Sequence, residues 1–171
     1  MILTGTEIKR QVEDGRIQIS PFSDKQLNPN SYDFRLGESI KVYNNEILDP
    51  KIAQEATEIP LTDEGFLLMP DKIYLGYTLE VMGSDFYVPI IRAKSSIARM
   101  GLFVHITADL IDIGSHNQWT LQLHAIQPLK LYPLMLIGQV TFWTVSGEIK
   151  LYEGKYQGSR GAQPSQMYKD F

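Results

Sequence analysis

The stretch "WTLQLHAI" (residues 119–126) alternates apolar and polar side chains from Trp119 to Ala125. Successive side chains in a β-strand point to opposite faces, so this pattern predicts a half-buried strand. The apolar face carries Trp119, Leu121, Leu123 and Ala125, and the polar face carries Thr120, Gln122 and His124. Gln122 is then either an ordinary surface amide or a substituted catalytic residue, and the two alternatives imply different functions.

Strand-like stretches of this kind recur through the second half of the chain. From Gly65 onward they read "GFLLMP", "IYLGYTLEVM", "YVPIIRAK", "GLFVHITADLI", "WTLQLHAI" and "LKLYPLMLIGQVTFWTV". A recurrence about every 8–12 residues is typical of an all-β barrel or sandwich. Before them, Thr4 and Glu7 have the spacing of a capping box and predict a short helix that ends at Gly15. Residues 44–64 are polar and irregular, which predicts an exposed excursion.

Length and composition limit the classes of protein to consider. With 171 residues, of which 43% are hydrophobic, the chain is expected to form one domain over residues 1–171. No apolar run approaches the ~20 residues of a membrane span, and the net charge of −4 argues against a general binder of nucleic acid polymers. The absence of cysteine excludes disulfides and thiolate zinc sites and fits a cytoplasmic protein.

The segment "RAKSSIARMG" (residues 92–101, here called the cationic turn) places three cations around two hydroxyl groups. A single helical turn that begins at Ser95 or Ser96 would present free backbone N–H groups beside Lys94 and Arg99. Such an arrangement binds anions, phosphate groups in particular. The alternative interpretation is a charged turn that is only solvated.

The isolated ionisable residues give weaker indications. His105 lies within an apolar run and is expected to be a core or face histidine, whereas Asp33 and Asp112 follow strand-like stretches and are expected to cap turns. His116 and His124 have no Cys or Asp partner at ligand spacing, which argues against a zinc deaminase. No glycine-rich phosphate loop and no nucleophile elbow is present.

Near the C-terminus, "GKYQGSRG" (residues 154–161) combines three glycines with Lys155 and Arg160. A segment of this composition can wrap closely around a phosphate chain. It can equally be a frayed chain end.

Taken together, five stretches resemble the dCTP deaminase branch of the trimeric dUTPase superfamily. They are "MILTGTEIKRQVEDGRI", "NPNSYDFRLG", "KSSIARMGLFVHITADLIDIG", "PLMLIGQVTFW" and "YEGKYQGSRGAQPS", and they cover nearly the whole chain. The resemblance implies a mainly β fold with short helices, a distorted jelly-roll-like barrel of the dUTPase type. It also implies a homotrimer with active sites between subunits.

The resemblance assigns the catalytic machinery residue by residue. Ser95, Ser96 and Arg99 match the family's R-S-S-x-A-R motif for phosphate binding and catalysis, with Lys94 in place of the leading arginine. In such deaminases a serine and a backbone carbonyl, here matched by Ala108, position a water without metal. Asp112 matches the aspartate that contacts the sugar and orients the attacking water in diphosphate hydrolysis.

The C-terminal residues 152–171 match the family's lid. Tyr152, Lys155, Tyr156 and Ser159 are implied to bind the triphosphate, with Ser159 standing where the family has glutamine. Further departures are Gln166 in place of arginine, and Ser115 and Asn117 in place of an aromatic residue and glycine. Mg²⁺ is expected to be carried by the phosphates, because the chain offers few carboxylates for a dedicated cage.

The family's catalytic glutamate falls on Gln122, and an amide cannot take up and return a proton. The first expectation is therefore a hydrolase that converts dUTP to dUMP and diphosphate. The second is a dCTP deaminase with a natural or engineered Gln122, and the third is a non-catalytic nucleotide-binding trimer. The expected ligands are dUTP or dCTP, with dTTP as an inhibitor, and no membrane is expected to be involved.

Overall fold

The computed structural model describes residues 1–171 and is built mainly from short antiparallel strands. Its helices are α1 (Gly5–Glu13), α2 (Ser95–Ala98) and two 3-10 turns (Asp24–Gln26 and Met167–Asp170). Its strands are β1 (Gln18–Ser20), β2 (Tyr32–Arg35), β3 (Ser39–Tyr43), β4 (Ala56–Pro60), β5 (Phe66–Leu68), β6 (Tyr74–Tyr77), β7 (Val81–Gly83), β8 (Tyr87–Ala93), β9 (Leu102–Phe103), β10 (Thr120–Ala125), β11 (Leu129–Leu131) and β12 (Leu136–Thr144). The mainly β class predicted from the sequence is confirmed.

The strands form four sheets around one apolar core. The largest has the order β4-β3-β6-β10-β9, and a second has the order β2-β12-β8. Two strand pairs, β1-β7 and β11-β5, complete the layers. The core side chains come from all four sheets and include Phe34, Leu68, Met82, Leu123 and Phe142, each fully buried. No helix is both long enough and apolar enough to span a membrane.

Helix α1 begins as its sequence predicts. The Thr4 hydroxyl accepts a hydrogen bond from the Glu7 backbone N–H at 3.3 Å. The reciprocal half of the capping box does not form, because the Glu7 carboxylate accepts from Arg10 and Gln11 instead. Gly15 has a φ of 71°, the left-handed conformation that suits glycine after the last helical turn.

Strand β10 follows the alternation of its sequence. Leu121, Leu123 and Ala125 are completely buried, whereas Gln122 and His124 on the opposite face are only partly buried. Residues 120–123 pair with β6, and the last two residues of the strand pair with β9. Strand β10 therefore has a neighbouring strand on each side, and only its polar face is free to border a pocket.

Two expectations about strands are wrong. Residues 56–60, inside the expected excursion, form β4 and pair with β3. Because β4 is an edge strand with mostly exposed side chains, its composition does not show the alternation of a buried strand. Conversely, "GLFVHITADLI" yields only the two-residue β9. Its end lies instead along the edge of β8, where the Ile91 N–H donates to the Asp109 carbonyl at 3.0 Å.

The sequence suggested that Asp33 caps a turn, and the structure shows that it does not. It lies within β2, is 6% exposed, and forms an ion pair with Lys94 at the start of the cationic turn. Its second carboxylate oxygen accepts from the Asn28 amide at 2.8 Å. A buried carboxylate needs such partners, and the ion pair with Lys94 ties the cationic turn to β2.

Candidate functional site

A cavity of about 410 Å³ lies against the polar face of β10. Three parts of the chain form its wall: the region of strands β3 and β6, residues 108–122, and the C-terminal segment (residues 152–165). The lining residues are Tyr43, Ile73, Leu75, Ala108, Leu110, Ile111, Asp112, Ser115, Asn117, Gln118, Trp119, Thr120, Gln122, Tyr152, Tyr156, Ser159, Gln163 and Ser165. Asp112 is the one carboxylate among them, and no Lys, Arg or His is present.

Gln122 lies in the wall of this cavity, so it is not an ordinary surface amide. Its Nε2 donates to the Thr120 carbonyl at 3.0 Å, which fixes the orientation of the amide. Its Oε1 is buried and has no hydrogen-bond partner within the chain. The indole N–H of Trp119, another lining residue, is also buried without a partner. Two residues of the wall thus each carry a buried polar atom without a partner in the chain, one an acceptor and the other a donor.

The loop from Asp112 to Trp119 (here the Asp112 loop) forms one side of the cavity. Asp112 itself is exposed, whereas Ser115 and Asn117 are buried and joined by a hydrogen bond of 2.8 Å. The backbone N–H and C=O of Asn117 both bond to Met82 of β7. His116 is held between Gln18 and Asp85 at 2.8 Å from each. Because the loop is fixed to β1 and β7, Asp112 is presented from a rigid support.

The C-terminal segment is docked rather than frayed, which excludes the frayed-end interpretation of "GKYQGSRG". The Tyr152 N–H donates to the Ile113 carbonyl at 2.8 Å, and the Gln163 N–H donates to the Thr120 hydroxyl at 2.9 Å. Tyr152, Tyr156 and Ser159 line the cavity, and the triphosphate contacts that the resemblance implies for them stay a prediction. Lys155 does not line it, because its ammonium group pairs with Asp170 at 2.5 Å.

The cationic turn lies outside the cavity, and none of its residues lines the wall. Ser95, Ser96 and Arg99 are exposed, and no acidic side chain pairs with Arg99. Lys94 is engaged with Asp33. One chain therefore separates the predicted site residues into two regions: Ala108, Asp112, Gln122 and the C-terminal residues at the cavity, and the serines and cations elsewhere.

Comparisons with known proteins show the family to which the chain is related. The family model described as dCTP deaminase-like matches residues 2–145. Proteins named "dCTP deaminase, dUMP-forming" from Hathewaya histolytica and Clostridium botulinum (strain Eklund 17B / Type B) are each 46% identical over 172 residues, which cover 100% of this chain and 99% of theirs. One from Leptospira biflexa is 44% identical over 100% of this chain and 98% of its own. This chain belongs to the dCTP deaminase-like family.

A solved structure supports the fold. The 2'-deoxycytidine 5'-triphosphate deaminase from Agrobacterium tumefaciens superimposes with a TM-score of 0.65 at 18% identity, over 82% of this chain. The chain spans 47% of the length of that structure. This likeness confirms the distorted barrel of the dUTPase type that the sequence resemblance implies.

Several lining residues could not be found from the sequence. Tyr43, Ile73 and Leu75 reach the cavity only because β3 and β6 pair beside β10. Trp119 was assigned to the apolar face, and it does belong to the core at 3% exposure, but it also borders the cavity. Gln163 and Ser165 lie in a segment whose composition carries no signal for burial.

The donor set fits a metal that arrives with a ligand rather than a resident one. No group of three or more His, Cys, Asp or Glu side chains in the chain could hold a metal ion. Asp112 alone would offer Mg²⁺ one carboxylate at the cavity, and Mg²⁺ commonly combines one or two carboxylates with substrate phosphates.

Proposed function

We propose that this protein converts dCTP to dUMP, with the base and sugar held in the cavity beside β10. The observation that carries the proposal is the convergence of Asp112, Gln122, Tyr152 and Tyr156 on one cavity. It is supported by relatives that align over the whole chain and are named for dUMP formation. These names favour deamination over the dUTP hydrolase that Gln122 alone suggests.

The site is completed by a neighbouring copy of the chain in a homotrimer. A triphosphate carries several negative charges, yet the cavity wall contains one carboxylate and no cation. Cations must therefore come from outside the wall. The exposed Ser95, Ser96 and Arg99 of a neighbouring subunit offer hydroxyl groups and a guanidinium for this purpose. Mg²⁺ on the phosphate oxygens would neutralise further charge.

The chemistry consumes two water molecules per dCTP. One adds to C4 of cytosine, and the C4–N bond then breaks to release ammonia and leave uracil. The other, oriented by Asp112, attacks the α-phosphorus and releases diphosphate, which leaves dUMP. Gln122 holds the base but cannot relay the proton, so solvent water must carry it. Deamination is then expected to be slower by about 10²–10⁴ than with a carboxylate at this position.

The second candidate is hydrolysis of dUTP to dUMP and diphosphate without deamination. The amide at position 122 is the observation that favours it. This reaction needs charge neutralisation and an oriented water, which the cationic turn, Mg²⁺ and Asp112 provide without a proton relay.

One assay separates these functions. The purified protein is incubated with dCTP or dUTP and Mg²⁺, and ammonia, diphosphate and dUMP are measured separately. Ammonia together with dUMP from dCTP supports the proposal, whereas diphosphate from dUTP alone supports the second candidate. Binding of both nucleotides in calorimetry without turnover would identify a non-catalytic nucleotide-binding protein. Asp112→Asn is the control for diphosphate release, and dTTP is the test competitor.

A further inference from the structure

Residues 152–165 (here the tail segment) lie along the Asp112 loop in the same chain direction. Backbone groups of the tail segment donate hydrogen bonds at successive positions of the loop and β10. The acceptors are the Ile113 carbonyl for Tyr152 (2.8 Å), Asn117 Oδ1 for Ser159 (2.9 Å), Gln118 Oε1 for Gly161 (2.8 Å) and the Thr120 hydroxyl for Gln163 (2.9 Å). Three of these four acceptors are side chains, so the identity of these residues contributes to docking of the tail segment.

Asn117 is the most constrained of these acceptors. It is 4% exposed, and its backbone forms a two-bond bridge with Met82 of β7. Its Nδ2 donates to the Ser115 hydroxyl at 2.8 Å, which turns Oδ1 toward the Ser159 N–H. The Ser159 carbonyl in turn accepts from the Gln118 N–H at 3.1 Å. The backbone N–H and C=O of Ser159 are thus both bound by neighbouring residues of the Asp112 loop.

The tail segment brings two aromatic side chains to the cavity. Tyr152 and Tyr156 both line the wall, Tyr152 before the turn of residues 155–158 and Tyr156 within it. The Tyr156 N–H donates to the Tyr152 hydroxyl at 3.2 Å, and the Tyr156 hydroxyl accepts from the Gln166 N–H at 2.7 Å. Their positions therefore depend on the tail segment being fixed to the loop.

We propose that Asn117 is a positioning residue that holds the tail segment on its own chain before any nucleotide binds, acting through the backbone of Ser159. A glycine here, the residue implied by the family resemblance, has no side-chain acceptor and would leave the Ser159 N–H without this partner. The consequence for catalysis rests on the proposed function. A cavity wall that is ordered in advance avoids the entropic cost of ordering the tail segment on binding.

Trypsin provides a test that does not depend on catalysis, because Lys155 and Arg160 are exposed residues of the tail segment. In the nucleotide-free protein we expect slow cleavage at both. Asn117→Ala removes the acceptor and should accelerate cleavage about tenfold, the effect of one lost hydrogen bond on the docking equilibrium. Asn117→Asp keeps an acceptor and should remain close to the wild-type rate. Ser115→Ala removes the partner of Nδ2 and keeps the Oδ1 acceptor, so it loosens only the orientation of the amide, and its cleavage rate should lie between those of Asn117→Asp and Asn117→Ala.

Equal cleavage of the wild type and Asn117→Ala would overturn the proposal. If Asn117→Ala does not fold, hydrogen exchange of the Ser159 amide in the wild type decides instead, and an unprotected amide would overturn it. Kinetics with dCTP and Mg²⁺ form a separate arm, in which Asn117→Ala should raise KM more than it lowers kcat. A wild type that binds no dCTP would refute the proposed function, while the trypsin rates would still decide the role of Asn117.

Discussion

The cavity wall and the cationic turn are opposite in construction, although both carry predicted site residues. In the wall, Asn117, Gln118 and Thr120 bond to the tail segment, and the Asp112 loop bonds to β1 and β7. In the cationic turn, Ser95, Ser96 and Arg99 face solvent. The first region is built within one chain and lacks cations, and the second has cations but lies outside that cavity. In the proposed homotrimer the two regions would be complementary and would meet between subunits.

The largest expected effect tests the wall. Gln122→Glu places a carboxylate in the cavity wall, where the family resemblance expects the proton shuttle. One oxygen of this carboxylate would take the place of the buried Oε1 of Gln122. Ammonia release from dCTP should rise by about 10²–10⁴, the usual contribution of a general base. Coupled ammonia detection at saturating dCTP provides the measurement.

An unchanged rate of deamination with intact dCTP binding would contradict this expectation. It would mean that Ser115 and Asn117 have reshaped the Asp112 loop so that the base no longer lies beside position 122. Gln122→Leu is the matched control, because it keeps the size of the side chain without a group that can carry a proton.

The next prediction tests whether the two regions meet between subunits. Arg99→Ala and Asp112→Asn should each lower dUMP formation by about 10²–10³, since each removes a charge that acts on the phosphates or the attacking water. When the two variants are refolded together, random trimers should regain activity at about a quarter of their sites, where an intact Arg99 meets an intact Asp112. The measurement is specific activity before and after co-refolding.

If the mixed trimers stay inactive while light scattering shows that trimers are present, both residues act within the site of one chain. The distinction between the two regions would then be wrong. Arg99→Ala alone should keep the wild-type melting temperature, because its side chain is exposed and pairs with no acidic residue.

The sequence predicted the elements whose signal is local. The alternation in β10 predicts Gln122 on the polar face correctly. The helical turn at Ser95 is also confirmed, but its N-cap position is Lys94 and no serine side chain caps it. Contacts between distant residues were not predictable. The pairing of Lys94 with Asp33 spans 61 positions, and it converts an expected phosphate ligand into a partner of β2.

Docking of the tail segment was ambiguous for the same reason. Its composition of glycine with Lys155 and Arg160 fits both a frayed end and an ordered strap. The bonds that decide between them run from backbone N–H groups to side chains of the Asp112 loop about forty residues earlier. The departures at Ser115 and Asn117 gain a structural meaning only once these bonds are seen.

In the sequence, His105 lies between the cationic turn and the Asp112 loop. Its expected effect is smaller and concerns how stability depends on pH. Burial lowers its pKa below the ordinary value, and its Nδ1 has no partner within the chain. The unfolded chain therefore binds a proton more readily, so stability falls as pH decreases from the unfolded pKa of about 6.5 toward the lowered folded pKa. His105→Gln should lose less stability than the wild type over this window. Thermal melts between neutral and mildly acidic pH provide the test, and parallel pH profiles would contradict it.

The smallest effect concerns Lys155, the one cation of the tail segment that an acidic side chain restrains. Its ammonium group pairs with Asp170, and the two side chains are 25% and 51% exposed. An exposed pair of this kind contributes at most about 1 kcal/mol, so Asp170→Asn should strengthen dCTP–Mg²⁺ binding only about two- to fivefold by releasing Lys155 toward the phosphates. Calorimetry measures the gain, and Lys155→Gln serves as the matched background in which Asp170→Asn should have no effect. The same gain in that background would show that Asp170 acts through general repulsion of the phosphates. The tail segment would then supply no cation of its own, and the charge would come from the cationic turn and Mg²⁺.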